Sequence, residues 1–147
     1  MKHCIYLTVS LLFFVVIGVF SQSDYQKTAN ELDFQLLKAK KENNMPEVAR
    51  FQAKLGYLYW ENTQNEKALE YFLQAIKTNE DIGNLNAIKT ICTNLGMIYS
   101  DRNDNEQALI YFRKTLRIDQ KTNKRSDVAA DLINISTALQ ALKNGIF

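Results

Sequence analysis

Residues 55–72 read LGYLYWENTQNEKALEYF, and residues 95–112 read LGMIYSDRNDNEQALIYF. The two stretches lie forty residues apart and share nine identical positions, all in one register. Self-similarity at a fixed spacing of this size is typical of proteins that stack one supersecondary unit. The sequence therefore predicts a repeat protein with a forty-residue period.

Each copy has the pattern of two amphipathic helices separated by a polar turn. Apolar residues recur at helical spacing over 48–59 and again over 68–76. Pro46 stands near the start of the first helix, where a missing backbone N–H costs nothing. Gly83 follows the second helix as the expected left-handed stop. Residues 88–118 repeat the pattern, so the period corresponds to one helix pair.

Partial copies flank these two repeats. Residues 134–139 are in register with 94–99, and a weaker half-copy precedes the first repeat, where Leu32 falls on Phe72. We therefore expect five segments: 1–21, an export signal; 22–46, a leading helix or degenerate half-repeat; 47–86, repeat one; 87–126, repeat two; and 127–147, a partial third repeat.

Two glycines stand in the middle of the predicted first helices, at matched positions. Gly56 and Gly96 each cost roughly 1 kcal/mol relative to alanine in a helix. Their recurrence predicts a steric role, in which a small residue lets the second helix approach closely. Ala68 and Ala108 are expected to serve the same contact from the other side.

The motif Leu-Gly-x-x-Tyr, followed by alanine and then phenylalanine four residues on, resembles the tetratricopeptide repeat. The resemblance implies an all-α fold, a right-handed α-solenoid of antiparallel helix pairs that is incomplete at the C-terminus. The forty-residue period exceeds the usual period of about 34 residues. It resembles a longer variant of bacterial sensors and transcription regulators, whose extra length lies mostly in the second helix and its loop.

The resemblance also implies a protein- or peptide-binding function on the concave face, which the first helices line. Trp60 is the sharpest candidate anchor there, with a local structural contact as the alternative. The clamp that some relatives use for a carboxy-terminal peptide needs lysine and asparagine, where this chain has alanine, threonine and tyrosine. The expected binding residues are Arg50, Tyr57, Trp60, Thr93, Met97, Ile133 and Thr137.

Composition argues against several other functions. The net charge is +2, from 18 basic and 16 acidic residues, without the concentrated basic patch typical of nucleic-acid binding. Once the signal is removed, the chain has no histidine and one cysteine, Cys92. Ser-His, Cys-His and thiolate-zinc chemistry are therefore not expected, and neither are an enzyme, a cofactor or a metal. Cys92 is expected to be a packing residue, with a dimer disulfide as the alternative.

The N-terminus has the pattern of a secretory signal peptide. A short basic start precedes an almost wholly apolar run over 5–20, and small or polar residues follow. We expect cleavage after Ser21 and a periplasmic or secreted protein. An uncleaved membrane anchor is the alternative, although sixteen helical residues span roughly 24 Å of a hydrocarbon core about 30 Å thick. A buried core helix is a third reading. Membrane contact is expected only through this segment, if it is retained.

The C-terminal helix, 127–142, is expected to begin after an N-cap at Ser126. No sequence for its partner helix follows, so we expect Leu132, Ile135 and Leu139 to be exposed and to promote self-association or partner binding. An alternative function is the truncated sensory N-terminal region of a bacterial sensor kinase or transcriptional regulator. The predicted apolar stripe of this helix comprises Val128, Leu132, Ile135, Leu139 and Leu142.

Overall fold

The computed structural model describes residues 24–145, which form six α-helices with no strand among them. Consecutive helices pack against one another in order from α2 to α6, so the predicted all-α solenoid is confirmed. The predicted signal, 1–21, lies outside the described residues. The helices are α1, residues 24–41; α2, Met45–Glu61; α3, Asn65–Asp81; α4, Leu85–Asp101; α5, Asn105–Lys121; and α6, Arg125–Asn144.

The helices and turns alternate with a regular spacing of twenty residues. Helices α2 to α5 each contain 17 residues, and three residues separate each helix from the next. The expectation that the extra length lies in the second helix of each pair is therefore wrong, because both helices are equally long. Each turn has one residue in the left-handed region: Asn43, Thr63, Gly83, Asn103 and Asn123.

Side-chain caps start three of the helices. Asn44, Asn84 and Asp104 each accept a hydrogen bond from the backbone N–H three residues on. The prediction that Ser126 caps α6 is wrong. Because the helices follow one another at a spacing of twenty residues, α6 begins at Arg125, and Ser126 lies inside its first turn. The Ser126 hydroxyl donates to a neighbouring carboxylate at 3.0 Å.

The two mid-helix glycines lie at the closest helix–helix contacts, as predicted. A Cβ atom on Gly56 would lie 2.6 Å from the ring of Phe72, and one on Gly96 would lie 2.3 Å from the ring of Phe112. Both distances are shorter than carbon atoms can approach. The glycines therefore allow the second helix of each pair to pack its phenylalanine against the first helix.

A stacked pair of tyrosines lies next to each of these glycine–phenylalanine contacts. Tyr59 stacks on Tyr71 with ring centroids 5.4 Å apart, and Tyr99 stacks on Tyr111 at 5.5 Å. The pairs α2·α3 and α4·α5 therefore share one packing arrangement. Differences between the two repeats arise from other positions.

Helix α6 packs through a different set of residues from the predicted apolar stripe. Leu132 and Leu139 are 51% and 46% exposed, whereas Asp131 and Ala138 are buried. The reason is that α6 packs mainly on α5, and no described helix covers its other side. Leu132 and Leu139 are thus exposed as expected, but Ile135 is not. It is half-buried against the cluster of Ala108, Leu109, Phe112 and Ala138, as is Leu142.

Candidate functional site

The first helices of the pairs, α2, α4 and α6, lie side by side and form one surface, here the first-helix face. The side-chain amide of Asn94 on α4 donates a hydrogen bond to the Tyr57 hydroxyl on α2. Lys89 on α4 reaches Asp127 on α6, with 2.6 Å between the ammonium nitrogen and a carboxylate oxygen. All seven predicted binding residues lie on these three helices.

A cleft of about 430 Å³ lies on this face between α2 and α4, and we call it the α2–α4 cleft. Its floor includes Asn79, near the C-terminal end of α3. Ala49 and Ala53 line it from α2, and Ala87 lines it from α4. Because three of these side chains stop at Cβ, the helices can pack at normal distance and still leave an opening.

Asn79 is buried at the floor with its amide nitrogen already satisfied. Only 2% of this residue is exposed, and its side-chain nitrogen donates to the Ala75 carbonyl at 2.7 Å. A buried polar group with an internal partner does not carry the desolvation penalty of an unpaired one. The floor is therefore polar but neutral.

Tyr57 forms a fixed aromatic wall of the cleft. Its ring packs edge-on against Phe72 at 5.2 Å and lies 6.5 Å from the ring of Trp60. Its hydroxyl accepts the hydrogen bond from Asn94. Contacts with three helices hold this side chain in one position, so a ligand would pay little entropy to order it.

The rim of the cleft carries two cations and one carboxylate. Arg50 forms an ion pair with Glu47, and its guanidinium carbon lies 4.2 Å from the centroid of the Phe51 ring. The hydrogen bond from Arg50 lowers the pKa of Glu47, so this carboxylate is charged at neutral pH. Lys54 also lines the cleft and is exposed. Its positive charge is left in excess at this edge.

The structure brings only some of the predicted residues to this cleft. Arg50 and Tyr57 line it, whereas Trp60 lies beside Tyr57 and is not part of the lining. Met97 is 41% exposed on α4, and Ile133 is 66% exposed on α6. These last two residues extend the first-helix face beyond the cleft.

The two predicted threonines have their hydroxyls occupied within their own helices. Thr93 donates to the Lys89 carbonyl at 3.2 Å, and Thr137 donates to the Ile133 carbonyl at 3.0 Å. Sequence reasoning missed Asn79, whose counterpart forty residues on is an aspartate. This difference between the two copies was the signal in the sequence that could have identified Asn79 as a site residue.

The place between α4 and α6 that corresponds to the cleft is crossed by ion pairs. The Lys89 ammonium lies 2.7 Å from Asp119 and 2.6 Å from Asp127. Asp119 is fully buried, and its counterpart in the first repeat is the neutral Asn79. Lys124 also reaches across from the α5–α6 turn, donating to the Asn86 side chain at 2.8 Å.

A second buried carboxyl group, Asp131, adjoins this ion-pair cluster. Thr115 donates to one of its oxygens at 2.7 Å, while its other oxygen has no hydrogen-bond donor. Burial raises the pKa of Asp131, and the nearby Asp119 carboxylate raises it further. Burial and the neighbouring negative charge therefore both disfavour the charged form of Asp131.

Cys92 lies in the core of the second repeat. It is fully buried, and burial raises the pKa of its thiol to about 11. A protonated thiol without exposed surface is neither a nucleophile nor a partner for a second molecule. The packing interpretation therefore fits the structure, and the dimer disulfide does not.

Over residues 24–145, no helix combines the length and apolarity that a membrane crossing requires. Within the same range, no three acidic, histidine or cysteine side chains form a group that could hold a metal ion.

The sequence of this chain matches the family model of the tetratricopeptide repeat over residues 47–121, just over half its length. The chain belongs to the tetratricopeptide repeat family. Members of this family are non-catalytic scaffolds for protein–protein interaction. The matched region includes α2 from Glu47 onward and all of α4, and therefore every residue of the α2–α4 cleft except Pro46.

A solved structure shares the fold of this chain. The crystal structure of BtubC (BKLC) from P. vanneervenii superposes with a TM-score of 0.72 at 19% sequence identity. The match covers 82% of this chain and 51% of that one, so the chain spans about half the length of its structural relative. At this identity the likeness shows the fold alone. No curated protein matches the chain.

Proposed function

We propose that this protein is a scaffold that binds an extended segment of a partner protein in the α2–α4 cleft. The observation that carries the proposal is the difference between the two repeats. Small, neutral residues leave the cleft open between α2 and α4, whereas ion pairs cross the corresponding place between α4 and α6. An open, partly apolar groove with a fixed aromatic wall is typical of a recognition site.

The lining defines the chemistry of the expected ligand. An apolar side chain fits between the methyl groups of Ala49 and Ala53, against the ring of Tyr57. The excess charge of Lys54 favours an acidic residue next to it. We therefore expect an extended peptide that presents an apolar residue with an aspartate or glutamate nearby.

The wider first-helix face supplies further contacts. Met97 and Ile133 are exposed apolar residues on α4 and α6, and methionine adapts readily to different partner surfaces. A longer segment could extend from the cleft along these residues. Thr93, Thr137 and Trp60 contribute at most secondary contacts in this arrangement.

Selection from a displayed library of random peptides tests the proposal. Peptides that bind the wild-type protein are measured against Tyr57→Ala and Lys54→Ala, and we expect affinity losses of at least about tenfold. Leu73→Ala is the control, because Leu73 is 46% exposed on α3, outside the cleft. Selected peptides whose affinity falls with Leu73→Ala but not with Tyr57→Ala would contradict the proposal.

We also infer that the protein is exported, to the periplasm or outside the cell. Support comes from the basic, apolar and small-residue pattern over 1–21. The expected mature chain begins at Gln22. Intact-mass measurement on the exported protein decides this, and a mass that includes residues 1–21 would favour a membrane anchor.

Finally, we propose that α6 is a second contact surface, through which the protein self-associates. Leu132 and Leu139 support this, because both are about half exposed on one side of the helix. Burying a leucine side chain is worth roughly 1.5–3 kcal/mol. Sedimentation velocity at tens of micromolar tests it, and a single monomeric species would refute this role of α6.

A further inference from the structure

Among residues 24–145, helices α1 and α6 each lack the helix that would complete their pair. A shift of forty residues places 24–41 on 64–81, so α1 corresponds to a second helix, while α6 corresponds to a first helix. No described helix covers the side of α6 where a second helix would pack. On α1, Phe34 and Leu37 are 61% and 59% exposed.

The complete pair α2·α3 shows how a first and a second helix meet. Gln52 on α2 lies opposite Gln74 on α3, and their side-chain amides form a hydrogen bond of 3.4 Å. The residue of α6 that corresponds to Gln52 is Leu132, and the residue of α1 that corresponds to Gln74 is Phe34. A polar pair inside the repeat is thus replaced by two exposed apolar residues at the ends.

The closest contact of the pair is also complementary between α6 and α1. Gly56 faces the ring of Phe72 in the α2·α3 pair. The corresponding residues are Ser136 on α6 and Leu32 on α1. Serine is larger than the glycine it replaces, and leucine is smaller than the phenylalanine it replaces. The total side-chain volume at this contact would therefore change little.

The geometry points to a second copy of this chain as the partner of α6. We propose that α1 of one molecule packs on α6 of another, as α3 packs on α2 within the chain. This inference rests on the proposed role of α6 as an association surface, and it names the occupant. The two surfaces differ, so the contact is head-to-tail and each molecule leaves one end free for the next.

One position limits the strength of this contact. Leu139 corresponds to Tyr59, whose ring stacks on Tyr71, and the residue of α1 at that place is Glu31. The stacked pair has no equivalent here. Leu132 with Phe34 is therefore the central contact, and reversible, concentration-dependent association is expected.

Two single variants, made in the full chain, distinguish head-to-tail from back-to-back association. Phe34→Glu blocks α1, and Leu132→Glu blocks α6. Both side chains are more than half exposed, so neither change is expected to disturb folding. Circular dichroism verifies the helicity, and intact mass establishes whether residues 1–21 are retained.

Sedimentation velocity then gives a clear pattern. Wild type is expected to form species that grow with concentration, and each variant alone is expected to be monomeric. An equimolar mixture should form a one-to-one dimer, because the intact α6 of the Phe34→Glu molecule can accept the intact α1 of the Leu132→Glu molecule. Ile110→Glu is the control, since Ile110 is 56% exposed on α5 and should leave wild-type association unchanged.

Three results would overturn the inference. A Phe34→Glu protein that still associates by itself would show that α6 pairs with α6, which preserves the proposed role of α6 but not its partner. A mixture that stays monomeric would show that α1 and α6 do not meet. A wild type that stays monomeric would refute both this inference and the proposed role of α6.

Discussion

The two repeats build the same junction from different side chains. Between α2 and α4, over α3, the junction contains a cleft of about 430 Å³. Between α4 and α6, over α5, ion pairs cross it. The residues of the first junction are Ala49, Asn79 and Ala87, and their counterparts forty residues on are Lys89, Asp119 and Asp127.

The difference shows that backbone packing alone does not decide whether such a junction is open or closed. The Gly–Phe contact and the stacked tyrosines are the same in both pairs. Three positions decide whether a junction is an open groove or a closed polar contact. The closed junction links α4 to α5 and α6 through Lys89, and the open one leaves the α2–α4 cleft.

The largest expected effect comes from breaking the closed junction. Lys89→Met leaves Asp119 fully buried without its cation, and loss of one partner of a buried pair costs about 3–5 kcal/mol. Urea unfolding measures this loss. Lys77→Met is the control, because Lys77 is exposed and forms none of the ion pairs. A loss below about 1 kcal/mol would contradict a stabilising role of the pair between Lys89 and Asp119.

The next largest effect concerns what the two repeats share. Gly56→Leu and Gly96→Leu each place a side chain where even a Cβ atom lies within 2.6 Å of a ring, and each should cost about 1–3 kcal/mol or more. Ser136→Leu, at the matched and exposed position of α6, should not destabilise the chain. Unchanged melting temperatures for both glycine variants would show that the repeat register is wrong.

These glycines illustrate how far the sequence predicted the fold. Their recurrence at a spacing of forty residues located the closest contacts, because only one arrangement of two helices requires a small residue there. The buried face of α6 was predicted wrongly. Periodicity alone cannot tell that Asp131 is buried, since its burial depends on Thr115 and Asp119 from another helix.

The candidate site was predicted only in part. Arg50 and Tyr57 line the cleft and were named from the family pattern, while Ala49 and Asn79 were missed. A cleft forms where small side chains from several helices leave space unfilled, so no single residue in the sequence indicates it. The comparison of Asn79 with Asp119 required knowing that α3 forms the floor.

A smaller effect concerns pH dependence at the closed junction. The pKa of Asp131 is raised, so its contribution to stability is complete below about pH 4 and is lost as the pH rises through its folded-state pKa. Asp131→Asn should remove this dependence and gain about 1 kcal/mol at neutral pH, the scale of one net hydrogen bond. Melting temperatures across this range decide it.

Asp127, in the same cluster, contributes to stability with the opposite pH dependence. Hydrogen bonding from Lys89 lowers the pKa of Asp127, so the contribution of Asp127 is lost as the pH falls. The difference between wild type and Asp131→Asn therefore isolates Asp131 from Asp127, Asp119 and Lys89. Parallel pH profiles for the two proteins would contradict the raised pKa of Asp131.

The smallest expected effect comes from the turn between α2 and α3. Thr63 has a φ of 57°, where a β-branched residue is strained, and Asn103 occupies the matched turn of the second repeat. Thr63→Asn should stabilise the protein by about 0.5 kcal/mol, and Asn103→Thr should destabilise it by a similar amount. The midpoints of urea unfolding measure both changes. Equal midpoints for the two variants would mean that threonine is not strained at this position of the turn.

Exchanging the two junctions tests the central claim, that the α2–α4 cleft is the binding site. The triple variant Ala49→Lys, Asn79→Asp and Ala87→Asp copies the closed junction into the first repeat. We expect it to fold and to lose binding of the selected peptides. Lys89→Ala, Asp119→Asn and Asp127→Ala together should leave binding at the first cleft intact. A closed variant that is folded and still binds these peptides with wild-type affinity would contradict the claim.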